Sequence, residues 1–158
     1  MFSSFFLFLS SFGFLLKNVY GAVPPYRDSG DLIASAYSLG IAHPPGYSLN
    51  ILLTHLGIKL LHFGNVAYRA NLLSCLWTAL TVVLAFHILK KMTSSWPAML
   101  AAAIWFFSPS VQRLSAVSEM YSLHAFLCVL ILYAGVRRKF GLAFFIMGLG
   151  ILNHSTVV

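Results

Sequence analysis

The stretch LLSCLWTALTVVLAFHIL, Leu72 to Leu89, runs for eighteen residues without an Asp, Glu, Lys or Arg and is closed by Lys90-Lys91. A helix crossing a hydrocarbon core of about 30 Å needs about 20 mostly apolar residues. The run therefore reads as a transmembrane helix with a basic anchor at its end. Four more runs approach that length: 2–16 (extendable to 23), 96–111, 121–136 and 140–158. Several are short by this rule, so each is expected to borrow flanking residues. Composition agrees: 59% of the 158 residues are hydrophobic and 8% are charged, against about 25% charged in a soluble domain. Mean hydropathy is +0.86. The three acids, Asp28, Asp31 and Glu119, are too few for a water-covered surface, and so apolar and aromatic a chain is not disordered.

The expected fold is all-α, a polytopic transmembrane helical bundle of about five spans. It would form a single membrane domain over 1–158, with 17–71 as the first external loop. No soluble domain and no internal repeat is visible, which counts against a transporter built from duplicated halves. Run 2–16 could also be a signal peptide, with Val19 and Gly21 as the small residues before a cut, but no Lys or Arg precedes it, so it is taken as a retained anchor. The chain stops at Val158 without a polar tail, as a fragment would.

A sixth stretch, 49–63, is amphipathic. Asn50, Thr54, His55, Lys59 and His62 form one stripe, opposite Ile51, Leu52, Leu56, Leu60 and Phe63. That pattern suits a helix lying in the membrane interface. With it flat and the N-terminus inside, Lys90-Lys91 and Arg137-Arg138-Lys139 face the cytoplasm. Raw counting gives no preference, because Lys17, Arg27, Lys59, Arg69 and Arg113 would all be external. The choice rests on clustering at span ends. No basic stripe interleaved with exposed aromatics appears, so nucleic acid is not an expected partner. Cys75 and Cys128 lie in apolar runs and read as small buried hydrophobes.

This orientation gathers all three acids on the external side. In RDSGDLIASAYSLGIAHPPGYSL, Arg27 to Leu49, Asp28 and Asp31 have the spacing of a helix cap over a helix from about Ser29 to Leu39, ended by Gly40. They also suit a general base taking a proton from an attacking hydroxyl. Both readings stay open. Glu119 is either an acid at a helix start, where the dipole favours it, or a third site carboxylate. Arg69 and Arg113 either snorkel to headgroups or hold a phosphate through a planar fork. His43 and His154 stand in polar islands near the acids. His55 and His62 are seven apart with no third ligand at metal spacing, so no metal site is expected.

These blocks resemble the domain-of-unknown-function family numbered 2723, which includes the protein O-mannosyltransferase-like membrane enzymes of the GT-C superfamily. DSGDLIASAYSLGIAHPPGYSL resembles its DSGEL…A…LG.AHPPGYPL signature. AYRANLLSCLWTAL, SPSVQRLSAVSEMYSLHAF and GLGILNHSTVV follow its R.NL.S, E.Y.LN and L…NH.T blocks in order. The likeness covers Arg27 to Val158. It implies a glycosyltransferase taking sugar from a polyprenyl-phosphate carrier on the external face, with Asp28 as the first-loop base. Asp31 stands where the family usually has Glu, and Ser48 where it has Pro. Glu119, His154 and Arg69 match family positions.

The expected function is transfer of a sugar, mannose by the resemblance, from a polyprenyl-phosphate donor to a hydroxyl acceptor such as protein Ser/Thr or a glycan. The expected catalytic residues are Asp28, Asp31 and Glu119; His43, Arg69, Arg113 and His154 are expected to bind substrate. Expected partners are membrane lipid, the lipid-linked sugar and the acceptor. No cofactor is expected, and a divalent metal is left open. The site would face the periplasm of a bacterial inner membrane, or alternatively the lumen of the ER. The rival readings are an inactive truncated or structural membrane protein, and a transporter.

Overall fold

The computed structural model describes residues 2–157, and every regular element among them is helical. Met1 and Val158, the outer limits of the expected domain, lie outside the described residues. The helices are α1 (Phe2–Leu16), α2 (Ser29–Ser38), α3 (Ser48–Leu60), α4 (Val66–Met92), α5 (Ser95–Phe106), α6 (Pro109–Ser115), α7 (Met120–Val136) and α8 (Phe140–Ile151), followed by a 3₁₀ turn at Ser155–Val157. The all-α reading holds.

At 27 residues, α4 is about 40 Å long, and it alone is long and apolar enough to cross a membrane among the described residues. Its start is fixed by Asn65, whose side chain accepts the Tyr68 N–H at 2.8 Å. Lys90 and Lys91 fill its last turn, where the dipole favours cations. The last residues of the expected first loop, 66–71, already belong to it. Taking α6 and α7 as one element bent by 113° adds a second candidate.

Helix length therefore does not confirm five spans. α1, α5 and α8 are apolar but have 15, 12 and 12 residues, about 18–22 Å at 1.5 Å per residue. The run 96–111 is divided by Pro109, which has no N–H to continue a helix and pushes the residue before it into extended backbone. Ser108 accordingly lies at φ −62°, ψ 139°, and Pro109 opens α6. The run 140–158 stops at Ile151, after which the chain leaves the helix through Asn153.

The five apolar helices alternate in direction. Ser4 on α1 meets His87 near the end of α4 at 2.8 Å, while Leu15 packs on Cys75 and Val82, so α1 opposes α4. Phe86 packs on Ala98 and Ala102, and Phe106 returns to Cys75, so α5 also opposes α4. α7 runs parallel to α4: Thr78, midway along α4, donates to Ser122 in the first turn of α7 at 3.3 Å, and Lys90 and Arg137 share a hollow at their ends. α8 opposes α7, its end tied to the start of α7 by Asn153. Ser74, Cys75, Thr78 and Ala79 give α4 a buried strip of small side chains, which lets neighbouring backbones approach closely. The acids consequently gather at one end of the bundle and the two basic clusters at the other.

Between α1 and α4 lie α2 and α3. The amphipathic pattern of 49–63 forms α3, but Asn50 and Thr54 of its polar stripe are buried, and His55 bonds the Ala36 carbonyl at 2.7 Å. Leu52, Leu56 and Leu60 point outward. The first half of the stripe thus faces protein while Lys59 and His62 are exposed. On the other face Ile51 is buried and the three leucines face the surroundings, the orientation a lipid environment favours for leucine.

α2 ends one residue earlier than expected: Leu39, not Gly40, takes the left-handed conformation, at φ 54°. In the following turn Gly46 lies at φ +95° and donates its N–H to the His43 carbonyl at 2.9 Å. A Cβ there forces backbone that L residues avoid. Gly46→Ala is expected to lower stability by about 1–2 kcal/mol, read as a lower midpoint in denaturant melts of the detergent-solubilised chain.

Candidate active site

Asp28 precedes α2 at the N-cap position, but neither it nor Asp31 caps the helix. Its backbone lies at φ −98°, ψ 3°, outside the extended region an N-cap uses, and its side chain makes no cap bond. The cap comes from across the molecule. Glu119 Oε1 accepts the Asp28 N–H and the Ser29 hydroxyl, both at 3.1 Å. This carboxylate satisfies donors at the positive end of the helix, leaving the two aspartate side chains available for other partners. The capping-box reading of Asp28 and Asp31 is thereby overturned.

Their shared partner is His43. Its Nδ1 lies 2.7 Å from Asp31 Oδ2, and its backbone N–H donates to the same oxygen at 3.1 Å. The Ser35 hydroxyl donates to Asp31 Oδ1 at 3.4 Å. On the other edge of the ring, Nε2 lies 3.5 Å from Asp28 Oδ2. One imidazole therefore bridges two carboxylates, closely to Asp31 and loosely to Asp28. All three stand on an open surface, their side chains 39–44% exposed.

The hydrogen bonds to His43 hold Asp31 below the ordinary aspartate range. The side-chain bond to Asp31 holds the imidazole above its ordinary value, and the charges of Asp28, Asp31 and Glu119 add to this. The pair's contribution to stability from His43 is full below the ordinary histidine value of 6.5 and is lost as pH rises through the raised one. The contribution from Asp31 is present above 3.8 and is lost as pH falls through the lowered one. In Asp31→Asn, the His43 titration followed by NMR is expected to move down toward 6.5; an unmoved titration would mean that the bond does not set it.

Glu119 is 2% exposed. Burial raises its carboxyl above the ordinary glutamate value, opposed by the bonds from Ser29 and the Asp28 N–H. Its second oxygen, Oε2, is buried without a hydrogen-bond partner among the described residues. Beside it, Arg27 donates to the Tyr121 hydroxyl at 3.0 Å and lies 5.7 Å from the centroids of the Tyr26 and Tyr121 rings.

The cluster is also a place of backbone strain. Arg27, Leu39 and Tyr47 are non-glycine residues at φ 42°, 54° and 46°. Such conformations cost about 1–3 kcal/mol each and persist where surrounding structure enforces them, often at functional sites.

Four of the seven expected site residues are thus brought together: Asp28, Asp31, His43 and Glu119. His154 lies one ring further out, stacked on Tyr47 at 6.2 Å, while Tyr47 meets His43 edge-on at 5.4 Å. Arg69 is used elsewhere: it donates to the carbonyls of Ile58 and Leu61, both at 2.8 Å, closing the C-terminal end of α3. Arg113 is exposed on α6 and joins no member of the cluster among the described residues. No group of three metal-ligating side chains is found among the described residues.

Asn71, not among the expected site residues, positions this end of the molecule. It is fully buried. Its amide donates to the Tyr20 and Ala22 carbonyls at 2.9 and 3.1 Å, and its oxygen accepts the Ser118 N–H at 2.8 Å. It therefore joins the chain before α2 to the residue preceding Glu119. The signal was its place in the R.NL.S block, two residues after an arginine that drew the attention.

The fold and the cluster define a class: an all-helical protein, apolar enough to cross a membrane in its longest helix, with carboxylates and an imidazole gathered at one end. The chain belongs to the family of the protein O-mannosyl-transferase TMEM260 N-terminal domain, whose model matches residues 28–158. This bears out the resemblance to the N-terminal portion of an O-mannosyltransferase-like protein. It is 36% identical over 146 residues to a mouse protein named protein O-mannosyl-transferase TMEM260, covering 85% of this chain and 21% of that protein. A Dictyostelium discoideum protein of the same description is 24% identical over 112 residues, covering 69% of this chain and 14% of the relative. The chain thus spans about a fifth or less of the length of these relatives. No solved structure matches.

Proposed function

We propose that this chain is the N-terminal part of a membrane glycosyltransferase of GT-C type. It moves mannose from a polyprenyl-phosphate carrier to a hydroxyl, such as a protein Ser or Thr. The observation that carries the reading is the exposed Asp28 carboxylate, loosely held beside an imidazole fixed by Asp31. Both relatives are named for O-mannosyl transfer.

Asp28 suits the base because it is the least engaged of the three acids. Asp31 is occupied by His43 and Ser35, and Glu119 is buried under the start of α2. The acceptor oxygen attacks the anomeric carbon as Asp28 takes its proton. The bond from that carbon to the phosphate oxygen breaks, and polyprenyl phosphate leaves with the electron pair. Single displacement inverts the anomeric centre. Asp31 and Glu119 act as positioning residues: Asp31 orients His43, and Glu119 fixes the backbone at Asp28. Protonated His43 and Arg27 offset the acids, so that an anionic donor can approach. Arg113 and His154 are the further donor contacts, and Arg69 supports them by holding α3.

In this reading 1–158 is one membrane domain, and α1, α4, α5, α7 and α8 cross five times with the help of flanking residues. The loop over 17–65, with α3 along the interface, lies on the side away from the basic clusters. That side is periplasmic in a bacterial inner membrane and luminal in the ER; the two eukaryotic relatives favour the lumen. The test is product stereochemistry. NMR of an acceptor peptide mannosylated by the protein in its full-length context is expected to show the anomer opposite to that of the donor, and retained configuration would contradict a single displacement.

A further inference from the structure

The other end of the bundle carries a second concentration of functional side chains. Near the C-terminal end of α4, His87, Lys90 and Lys91 occupy positions i, i+3 and i+4; near that of α7, Tyr133 and Arg137 occupy i and i+4. Each set therefore shares one helix face. The two faces meet around a hollow of about 400 Å³ lined, among the described residues, by these five. His87 is anchored from α1 by Ser4 at 2.8 Å. The Arg137 guanidinium lies 5.6 Å from the centroid of the Tyr133 ring, and the Lys90 ammonium 5.7 Å from that of Phe86.

No acid compensates this charge. The ion pairs found among the described residues involve only His43 with Asp28 and Asp31. All three acids lie at the opposite end of α7, a helix of 17 residues and about 25 Å. Arg138 adds a further sign that the basic run is kept at some expense. It occupies the left-handed position that ends α7, at φ 57°, with the Lys139 N–H donating to the Ala134 carbonyl at 2.9 Å. Glycine is the favoured residue at such a site.

We infer that the hollow between the ends of α4 and α7 binds a phosphate group, carried by an anionic phospholipid headgroup or free in solution. Convergent cations with a phenolic donor between them match a phosphate's several acceptor oxygens. Basic pockets between helices at a membrane surface take anionic headgroups in this manner. The inference is independent of the transfer reaction at the other end.

The test uses the full chain in neutral detergent, with short-chain phosphatidic acid, phosphatidylcholine and inorganic phosphate as separate probes. Binding is followed by native mass spectrometry and by the shift in melting temperature. Phosphatidic acid is expected to bind and stabilise, and phosphatidylcholine to do neither. Lys91→Gln combined with Arg137→Gln is expected to weaken phosphatidic acid binding roughly thirtyfold, two basic groups being removed. Both residues are exposed, so the unliganded melt should stay near that of the unsubstituted chain. Phosphate binding as tightly as phosphatidic acid assigns the hollow to free phosphate; phosphate binding far more weakly assigns it to lipid. Failure of both probes overturns the inference. So does equal weakening by Lys17→Gln with Lys59→Gln, since that reports only net charge.

Discussion

Asp28→Asn in the full-length protein is expected to lower the proposed sugar transfer by about 10²–10⁴-fold, the range for loss of a positioned general base, and to leave the fold intact. The second half of this expectation is what makes the first informative. The side chain of Asp28 makes no cap bond and only the loose 3.5 Å contact with His43, while its backbone N–H bond to Glu119 is retained by Asn. Asp31→Asn behaves differently. It frees the His43 ring, and misplacement of a site group on this scale costs up to about 10²-fold. It also lowers the His43 titration by removing the side-chain bond that raises it most, whereas Asp28→Asn removes only a neighbouring charge and lowers it less. Asp31→Glu, the residue usual in the family at this position, recovers most of the activity if its longer arm still reaches Nδ1. Wild-type transfer in both Asp28→Asn and Asp31→Asn would remove the acid cluster from the mechanism.

Asn71→Ala has the largest expected effect on stability. Three hydrogen bonds disappear at once, each worth about 1 kcal/mol net. The Ser118 N–H is left buried without its acceptor, which costs a further share of desolvation. A loss of about 3 kcal/mol or more is expected in denaturant melts, with activity falling because the Tyr20–Ala22 segment and Ser118 are no longer tied. Asn71→Asp separates the two halves of this effect. It keeps an acceptor for Ser118 but sets a carboxylate against the Tyr20 and Ala22 carbonyls, so it also destabilises. Unchanged melting in both variants would mean that the hydrogen bonds joining these segments do not hold the site end together.

Helical class was legible because apolar runs this long leave few alternatives, and the basic residues after Leu89 and Val136 marked real helix ends. Helix length was less legible. Pro109 was visible, but its effect on run 96–111 was hidden within a stretch that hydropathy alone reads as continuous. In the site, spacing drew attention to Asp28 and Asp31 but offered a cap as readily as a base. What decides against the cap is Glu119, ninety-one positions from Asp28, and no local pattern carries that pairing. The same limit explains Arg69. Snorkelling and phosphate binding are the local readings of an isolated arginine, whereas its observed partners, the Ile58 and Leu61 carbonyls, exist only once α3 and α4 have packed. Asn71 is the complementary case: a polar residue just before an apolar run, whose full burial follows from tertiary structure and not from its neighbours.

The measurement that bears most directly on the central claim is transfer of radiolabelled mannose from polyprenyl-phosphate-mannose to a Ser/Thr acceptor peptide. It is made with the full-length protein containing this chain, as wild type and as Asp28→Asn, with the melting of both recorded alongside. The account predicts label on the peptide with wild type, loss of at least about a hundredfold with Asp28→Asn, and superimposable melts. Transfer at equal rates by the two folded proteins would contradict the account.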